Sequence, residues 1–205
     1  PESRQAVMLI WDPQTDLPQL NGIPNNEDIP CNICSMIKIR KGKLEWTQVM
    51  RSNDLVLGLP YNLVQFTSMQ EILASWLNVD VGSYNHISDS LHIYTEKESF
   101  VGIQTMECYN TDSLRIKKED FNQVIQSIYN VMETLSHANI QQYELLKFSE
   151  LDLGYEAYNN ILKIICAYSA YSNHFTDVQN EIIKCCTNKV YVLMWTNWLQ
   201  SKTRR

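Results

Sequence analysis

The chain has 205 residues, with 17 Lys+Arg against 23 Asp+Glu, a formal charge of −6. Its 44% apolar and 20% charged composition excludes a disordered tail and a collagen-like repeat. The acidic balance argues against a nonspecific nucleic-acid binder, which needs positive surface to release counterions, and the sequence lacks an apolar run of about 18 residues, the length a membrane span requires.

A chain of this length buries roughly 70% of the surface its unfolded form exposes. Only 6 Gly and 6 Pro leave few sites for tight turns, which favours long elements and a helix-rich fold. Six cysteines stand at positions 31, 34, 108, 166, 185 and 186. They lack the density of a secreted disulfide scaffold, so reduced thiols and a cytoplasmic setting are expected. Cys31 and Cys34 have the spacing of half a zinc site, but no second pair completes it, and no metal is expected.

In chain order, residues 5–12 are an apolar run that reads equally as a buried strand or a short helix. Residues 13–30 carry prolines, asparagines and acids and read as loop. Residues 34–50 alternate about Lys41, Gly42 and Lys43, which predicts a hairpin. Residues 51–60 read as a connector ending at Pro60, a residue suited to the first turn of a helix. That helix is predicted to reach Leu77, with Leu63, Phe66, Ile72, Leu73, Trp76 and Leu77 on its core face. A break at Val81, Gly82 and Ser83 precedes a strand-like segment from Tyr84 to Tyr94. Residues 96–120 are mixed and charged.

Beyond them the pattern is helical. Phe121, Val124, Ile125, Ile128, Met132 and Leu135 form one stripe, and Ile161, Leu162, Ile165 and Tyr168 another. Thr176 or Asp177 is expected to cap a last helix carrying Ile182, Val192, Trp195 and Leu199. The expected organisation is an α+β part over residues 1–100 and a mainly helical extension over 101–205.

The first part is dense in reactive groups: Cys31 after a proline, Arg51 and Ser52 at a strand end, Asp54, Asn62 at a helix start, and His92 with Tyr94. Singly, each has an ordinary reading. A lone cysteine is usually a small buried hydrophobe. Arg51 with Asp54 is a surface ion pair of little worth, Asn62 is a cap, and His92 and Tyr94 share a solvated strand face. Their spacing, however, resembles one family. Ile29-Pro30-Cys31, then Arg51-Ser52-Asn53-Asp54 running to Gly58-Leu59-Pro60-Tyr61-Asn62, then His92-Ile93-Tyr94 are similar to the catalytic half of thymidylate synthase and the pyrimidine hydroxymethylases. The family carries Pro-Cys, Gln-Arg-Ser-x-Asp with Gly-x-Pro-Phe-Asn, and Asp-x-His-x-Tyr at the same intervals. The stretch from Ser3-Arg4-Gln5 to Trp11 resembles the family's Arg-Arg to Trp segment. The likeness covers about residues 3–94.

The resemblance implies a mixed sheet with packed helices, a homodimer, a pyrimidine nucleotide as substrate and 5,10-methylenetetrahydrofolate as one-carbon donor. Cys31 would be the nucleophile toward C6 of the base. A thiolate, not a thiol, attacks, and Arg51 is the cation available to favour it. Arg51 and Ser52 would grip the phosphate, a sound pairing of guanidinium and hydroxyl. Arg4 would reach the phosphate of the neighbouring subunit. Asn62 would read the base, His92 and Tyr94 would hold the sugar 3′-hydroxyl, and Asp54 would bond the pterin. An amide at Asn62 can donate to a C4 carbonyl and accept from N3–H, which selects uracil; cytosine-specific relatives often have Asp there.

The chain departs from the family pattern in several places. Gln5 stands for a second arginine, Met50 for a glutamine and Ser90 for an aspartate. The family's N-terminal third, with a further phosphate arginine, a proton-transfer glutamate and a tryptophan over the folate, has no counterpart, and the chain opens on Pro1. Upstream residues outside this sequence are the expected explanation. The leading expectation is an enzyme transferring one carbon to C5 of a dUMP-like nucleotide, the product being methyl if hydride meets the intermediate and hydroxymethyl if water does. The alternatives are a (d)CMP or dUMP hydroxymethylase and a noncatalytic nucleotide-binding module, with the helical part free to contact a protein partner.

Overall fold

The apolar run near the start is a strand, β1 (Ala6–Leu9), but all four of its residues are exposed rather than buried. It belongs to a computed structural model of the chain that describes residues 3–18, 21–23, 28–94, 108–136 and 140–203. β2 (Asn32–Arg40) and β3 (Lys43–Asp54) form the expected antiparallel hairpin. Its tip is Lys41 at φ 50° and Gly42 at φ 74°; positive φ at both central residues gives the twist that joins two strands most directly. Along β3, Leu44, Trp46, Gln48 and Met50 are buried at every second position, the period of a strand with one covered face.

β3 does not stop where the alternation suggests. It runs on through Arg51–Asp54, so the first part of the expected connector is strand. Burial changes parity there: after Met50 the next buried residue is Asn53. α1 (Leu59–Trp76) follows, with Pro60 in its first turn. Its buried residues are Phe66, Gln70 and Ala74, whereas Leu63 and Leu77 are exposed. The core stripe therefore includes a polar residue. The Gln70 side-chain amide donates to the main-chain oxygens of Leu44 (2.7 Å) and Ser83 (3.2 Å), so a buried amide does the work assigned to leucines.

β4 (Asp80–His92) pairs parallel with β3, and the sheet order is β1-β2-β3-β4. No break occurs at Val81–Ser83. Gly82 lies within the strand, and the position needs glycine: a Cβ there would stand 2.8 Å from the Leu44 carbonyl oxygen, where the β3–β4 register shifts between Leu44 and Trp46. Trp46, buried on β3, packs against Phe66 of α1 with ring centroids 6.2 Å apart, tying helix to sheet.

Residues 1–105 and 106–205 are separate units. The second holds α2 (Lys118–Ser136), α3 (Gln142–Ser149), α4 (Glu156–Ser172), α5 (Thr176–Lys184) and α6 (Lys189–Thr203). Its core gathers Leu145, Leu162, Cys166, Ala167, Ala170, Ile182 and Trp195. The stripes shift from the expected ones: Val124, Ile128 and Val131 are buried on α2, while Ile125 and Met132 are exposed, as is Tyr168 on α4. The expected last helix is two. Thr176 begins α5 without a side-chain cap bond. The chain then breaks, and the Asn188 side-chain oxygen accepts from the N–H groups of Val190 (2.9 Å) and Tyr191 (3.2 Å) to start α6. The mixed segment over 96–120 lies outside the described residues as far as 107.

Candidate active site

Because β3 and β4 are parallel, their carboxyl ends lie together, and β2, antiparallel to β3, begins at that same end. Asn32 faces Met50, Ser52 faces Ser90 and Asp54 faces His92 in register. α1 leaves from the end of β3. Four segments thus deliver Cys31, Arg51, Ser52, Asp54, Asn62 and His92 to one end of the sheet, the place where open sheets with parallel strands bind ligands.

Cys31 is exposed, just ahead of β2. Arg51 holds the segment before it. Its Nε donates to the Pro30 carbonyl (3.0 Å), its Nη2 to the Ile29 carbonyl (3.1 Å), and its main-chain N–H to the Cys31 carbonyl (2.9 Å). The guanidinium therefore sits beside the cysteine turn, its remaining N–H donors without a partner among the described residues. The other side of the turn is fixed from within. Buried Gln48 donates from Nε2 to Asn32 Oδ1 (3.1 Å) and accepts at Oε1 from Ser35 Oγ (2.5 Å). Ser52 is half-buried on the same strand end.

Asp54 closes β3. Its Oδ1 accepts from the N–H groups of Val56 (2.8 Å) and Leu57. The Leu57 N–H above all, with Val56, His92 and Gly58 adding to it against a smaller opposing effect of burial, holds the carboxyl below the ordinary aspartate range. Its second oxygen, Oδ2, is shielded from water and has no hydrogen-bond partner among the described residues. A shielded carboxylate oxygen left unpaired calls for a donor from outside. The His92 and Tyr94 rings meet edge to face, 5.4 Å apart at 87°, and Tyr94 is exposed.

Asn62 is not a helix cap. Its main-chain N–H bonds to the Gly58 carbonyl (3.0 Å) within the first turn of α1, and its side-chain Nδ2 donates to Asn53 Oδ1 (3.1 Å). Asn53, fully enclosed, meets His86 Nε2 (2.9 Å) and Ser88 Oγ (3.2 Å) through its own Nδ2. His86 Nδ1 in turn meets the Tyr84 hydroxyl (2.8 Å). Burial lowers the His86 pKa and pushes the Tyr84 phenol up to about 12. None of Asn53, His86, Tyr84 or Gln48 stands out in the sequence as a site residue. The signal available was polar residues at alternate positions on a strand, Tyr84, His86 and Ser88, facing a helix-covered side.

Arg4 does not join this site within one chain. Ala6 pairs with Ile37, so Arg4 lies beyond it, toward the hairpin tip, in a 280 Å³ hollow with Met36, Lys38 and Arg40. At about 3.3 Å per residue, eight positions along β2 put it roughly 26 Å from Cys31.

The family model described as "Thymidylate synthase" matches residues 1–194, well past the motif-bearing segment and into the helical unit. The deoxyuridylate hydroxymethyltransferase of Bacillus phage SP01 is 44% identical over 97 residues, covering 47% of this chain and 24% of that protein. A putative thymidylate synthase of Methanocaldococcus jannaschii is 33% identical over 98 residues, covering 47% of this chain and 42% of its own length. The chain therefore spans less than half the length of these relatives. Among solved structures, thermostable thymidylate synthase A from Bacillus subtilis superposes with a TM-score of 0.46 at 25% identity, over 54% of this chain and 38% of that one.

Proposed function

The chain belongs to the thymidylate synthase family, and from that premise we propose that it transfers a one-carbon unit to C5 of a uracil-type nucleotide through a covalent bond from Cys31. The observation that carries this reading is the clasp of Arg51 on the Ile29–Cys31 turn. It joins an exposed thiol and a permanent cation at the strand end that also bears Asp54, Asn62 and His92.

The chemistry follows from those groups. The Cys31 thiolate bonds to C6, and the electron pair of the C5–C6 double bond moves toward C5 and O4. An amide N–H from Asn62 at O4 stabilises the developing charge, while its oxygen accepts from N3–H. Arg51 and Ser52 take the phosphate. His92 and Tyr94 face the sugar. Methylenetetrahydrofolate supplies the carbon when bound, and the unpaired Asp54 Oδ2 is an acceptor suited to the N–H donors of its pterin. Arg4, far from Cys31 along β2, serves the site only if a second copy brings it there, which makes a homodimer part of the proposal.

A second reading, hydroxymethyl rather than methyl transfer, is favoured by one comparison: the 44% identical relative is a deoxyuridylate hydroxymethyltransferase. Incubating the full-length protein with dUMP and methylenetetrahydrofolate and weighing the product decides. A methyl or a hydroxymethyl group at C5 supports the reaction and names its outcome. Nucleotide that binds tightly and returns unmodified overturns it in favour of a binding module.

A further inference from the structure

Reading a base with an amide demands that the amide face one way. Uracil offers an acceptor at O4 and a donor at N3; cytosine offers a donor at N4 and an acceptor at N3. An asparagine can satisfy either by a half-turn about its last torsion, which exchanges oxygen and nitrogen at little cost. Asn62 alone is therefore not a selector. Something must hold its amide.

Asn53 does so. Its Oδ1 accepts a hydrogen bond from Asn62 Nδ2 (3.1 Å), which leaves the second Nδ2 proton and the oxygen of Asn62 for a ligand. Asn53 itself is held by two acceptors, His86 Nε2 (2.9 Å) and Ser88 Oγ (3.2 Å), one for each proton of its own amide nitrogen. For Nε2 to accept, His86 must be neutral with its proton on Nδ1, and there the Tyr84 hydroxyl stands 2.8 Å away to receive it. Burial lowers the His86 pKa and raises that of Tyr84, which favours a neutral ring beside an uncharged phenol. Turning Asn53 over would require His86 to change tautomer and would leave its buried amide nitrogen, with two protons, facing Asn62 alone, whereas the orientation shown pairs both protons and the oxygen. The partner count thus sets the polarity of the chain Tyr84–His86–Asn53–Asn62. The backbone guards it as well: a Cβ at Gly58 would stand 2.6 Å from Asn53 Oδ1, so the glycine leaves room for the group that orients Asn62.

We propose that Asn53 and His86 are positioning residues that fix the direction of the Asn62 amide, and through it make the site select a uracil-type over a cytosine-type edge. This rests on Asn62 facing the base, as proposed above, and goes beyond it by naming what makes Asn62 discriminate.

The test is the ratio of dUMP to dCMP affinity, measured by competition on the full-length protein and its variants. Asn53→Ala frees the amide, and the preference for dUMP should fall by about tenfold, the worth of one exchanged hydrogen bond. Asn53→Asp still accepts from Asn62, with His86 changing tautomer to donate, and should keep the preference. His86→Leu is the second handle, should Asn53→Ala fail to fold, and should lower the ratio in the same direction. A merely structural role weakens both nucleotides alike and leaves the ratio unmoved, which overturns the proposal. Asn62→Asp separates the two readings. If it shifts the ratio toward dCMP while Asn53→Ala and His86→Leu do not, the relay is wrong and Asn62 still reads the base. If it leaves the ratio unchanged, Asn62 does not face the base and both fail.

Discussion

Arg51 carries two duties, tying the Ile29–Pro30 carbonyls and presenting charge beside Cys31. Arg51→Ala should weaken nucleotide binding by about 2 kcal/mol, the scale of a charge-assisted hydrogen bond, and leave nucleoside binding little changed; titration calorimetry with both ligands checks this, and equal loss for both would remove the phosphate from Arg51. Thiol reactivity separates the cysteines: Cys31 is exposed, whereas burial pushes the Cys166 thiol up to about 12. Iodoacetamide should label Cys31 and spare Cys166 in the native protein, read by peptide mass mapping. His86 adds a pH signature. Burial holds its folded pKa below 6.5, so as pH falls from that value the unfolded chain takes up a proton that the folded ring resists. The unfolded state then binds more protons, and stability drops with falling pH; His86→Gln should flatten that part of the stability curve in denaturant titrations. At this scale spacing along the chain singled out Cys31, Arg51 and Asn62 as candidates, and the structure brings them to one end of the sheet. Spacing was silent on Asn53 and His86, which only parallel pairing and a helix start bring into one hydrogen-bonded chain with Asn62.

The elements show a similar division. The hairpin over β2 and β3 was readable because alternation and Lys41-Gly42 agree on it. The end of β3 was not: burial changes parity after Met50, and a period-2 reading ends where the period does. The core stripe of α1 was misplaced because Gln70 counts as polar in any hydropathy pattern, although it is buried by bonding to sheet carbonyls. Gln70→Leu should therefore destabilise the first unit by about 1–3 kcal/mol, leaving those buried oxygens without their donor, whereas a simple hydrophobic core would gain from the change. Chemical denaturation distinguishes the two. Asn188 taught the same lesson for the last helix: one side chain accepting two N–H groups divides an apolar pattern that otherwise reads as continuous.

On the scale of the whole chain, two units with separate cores carry different parts of the account. The first supplies every residue assigned to chemistry, and the second holds a core of its own around Leu162, Cys166 and Ile182, within a family match that reaches residue 194. The helical unit was legible as helical from its stripes; its kinship was not legible, because no motif of fixed spacing lies there. The central claim is that an exposed thiol beside a clasping arginine bonds to a pyrimidine ring. It is tested most directly by mixing the full-length protein with 5-fluoro-dUMP and methylenetetrahydrofolate and weighing the intact product. A covalent adduct that maps to Cys31 and vanishes in Cys31→Ser is expected; protein that binds the nucleotide and emerges at its native mass would contradict covalent attack by Cys31.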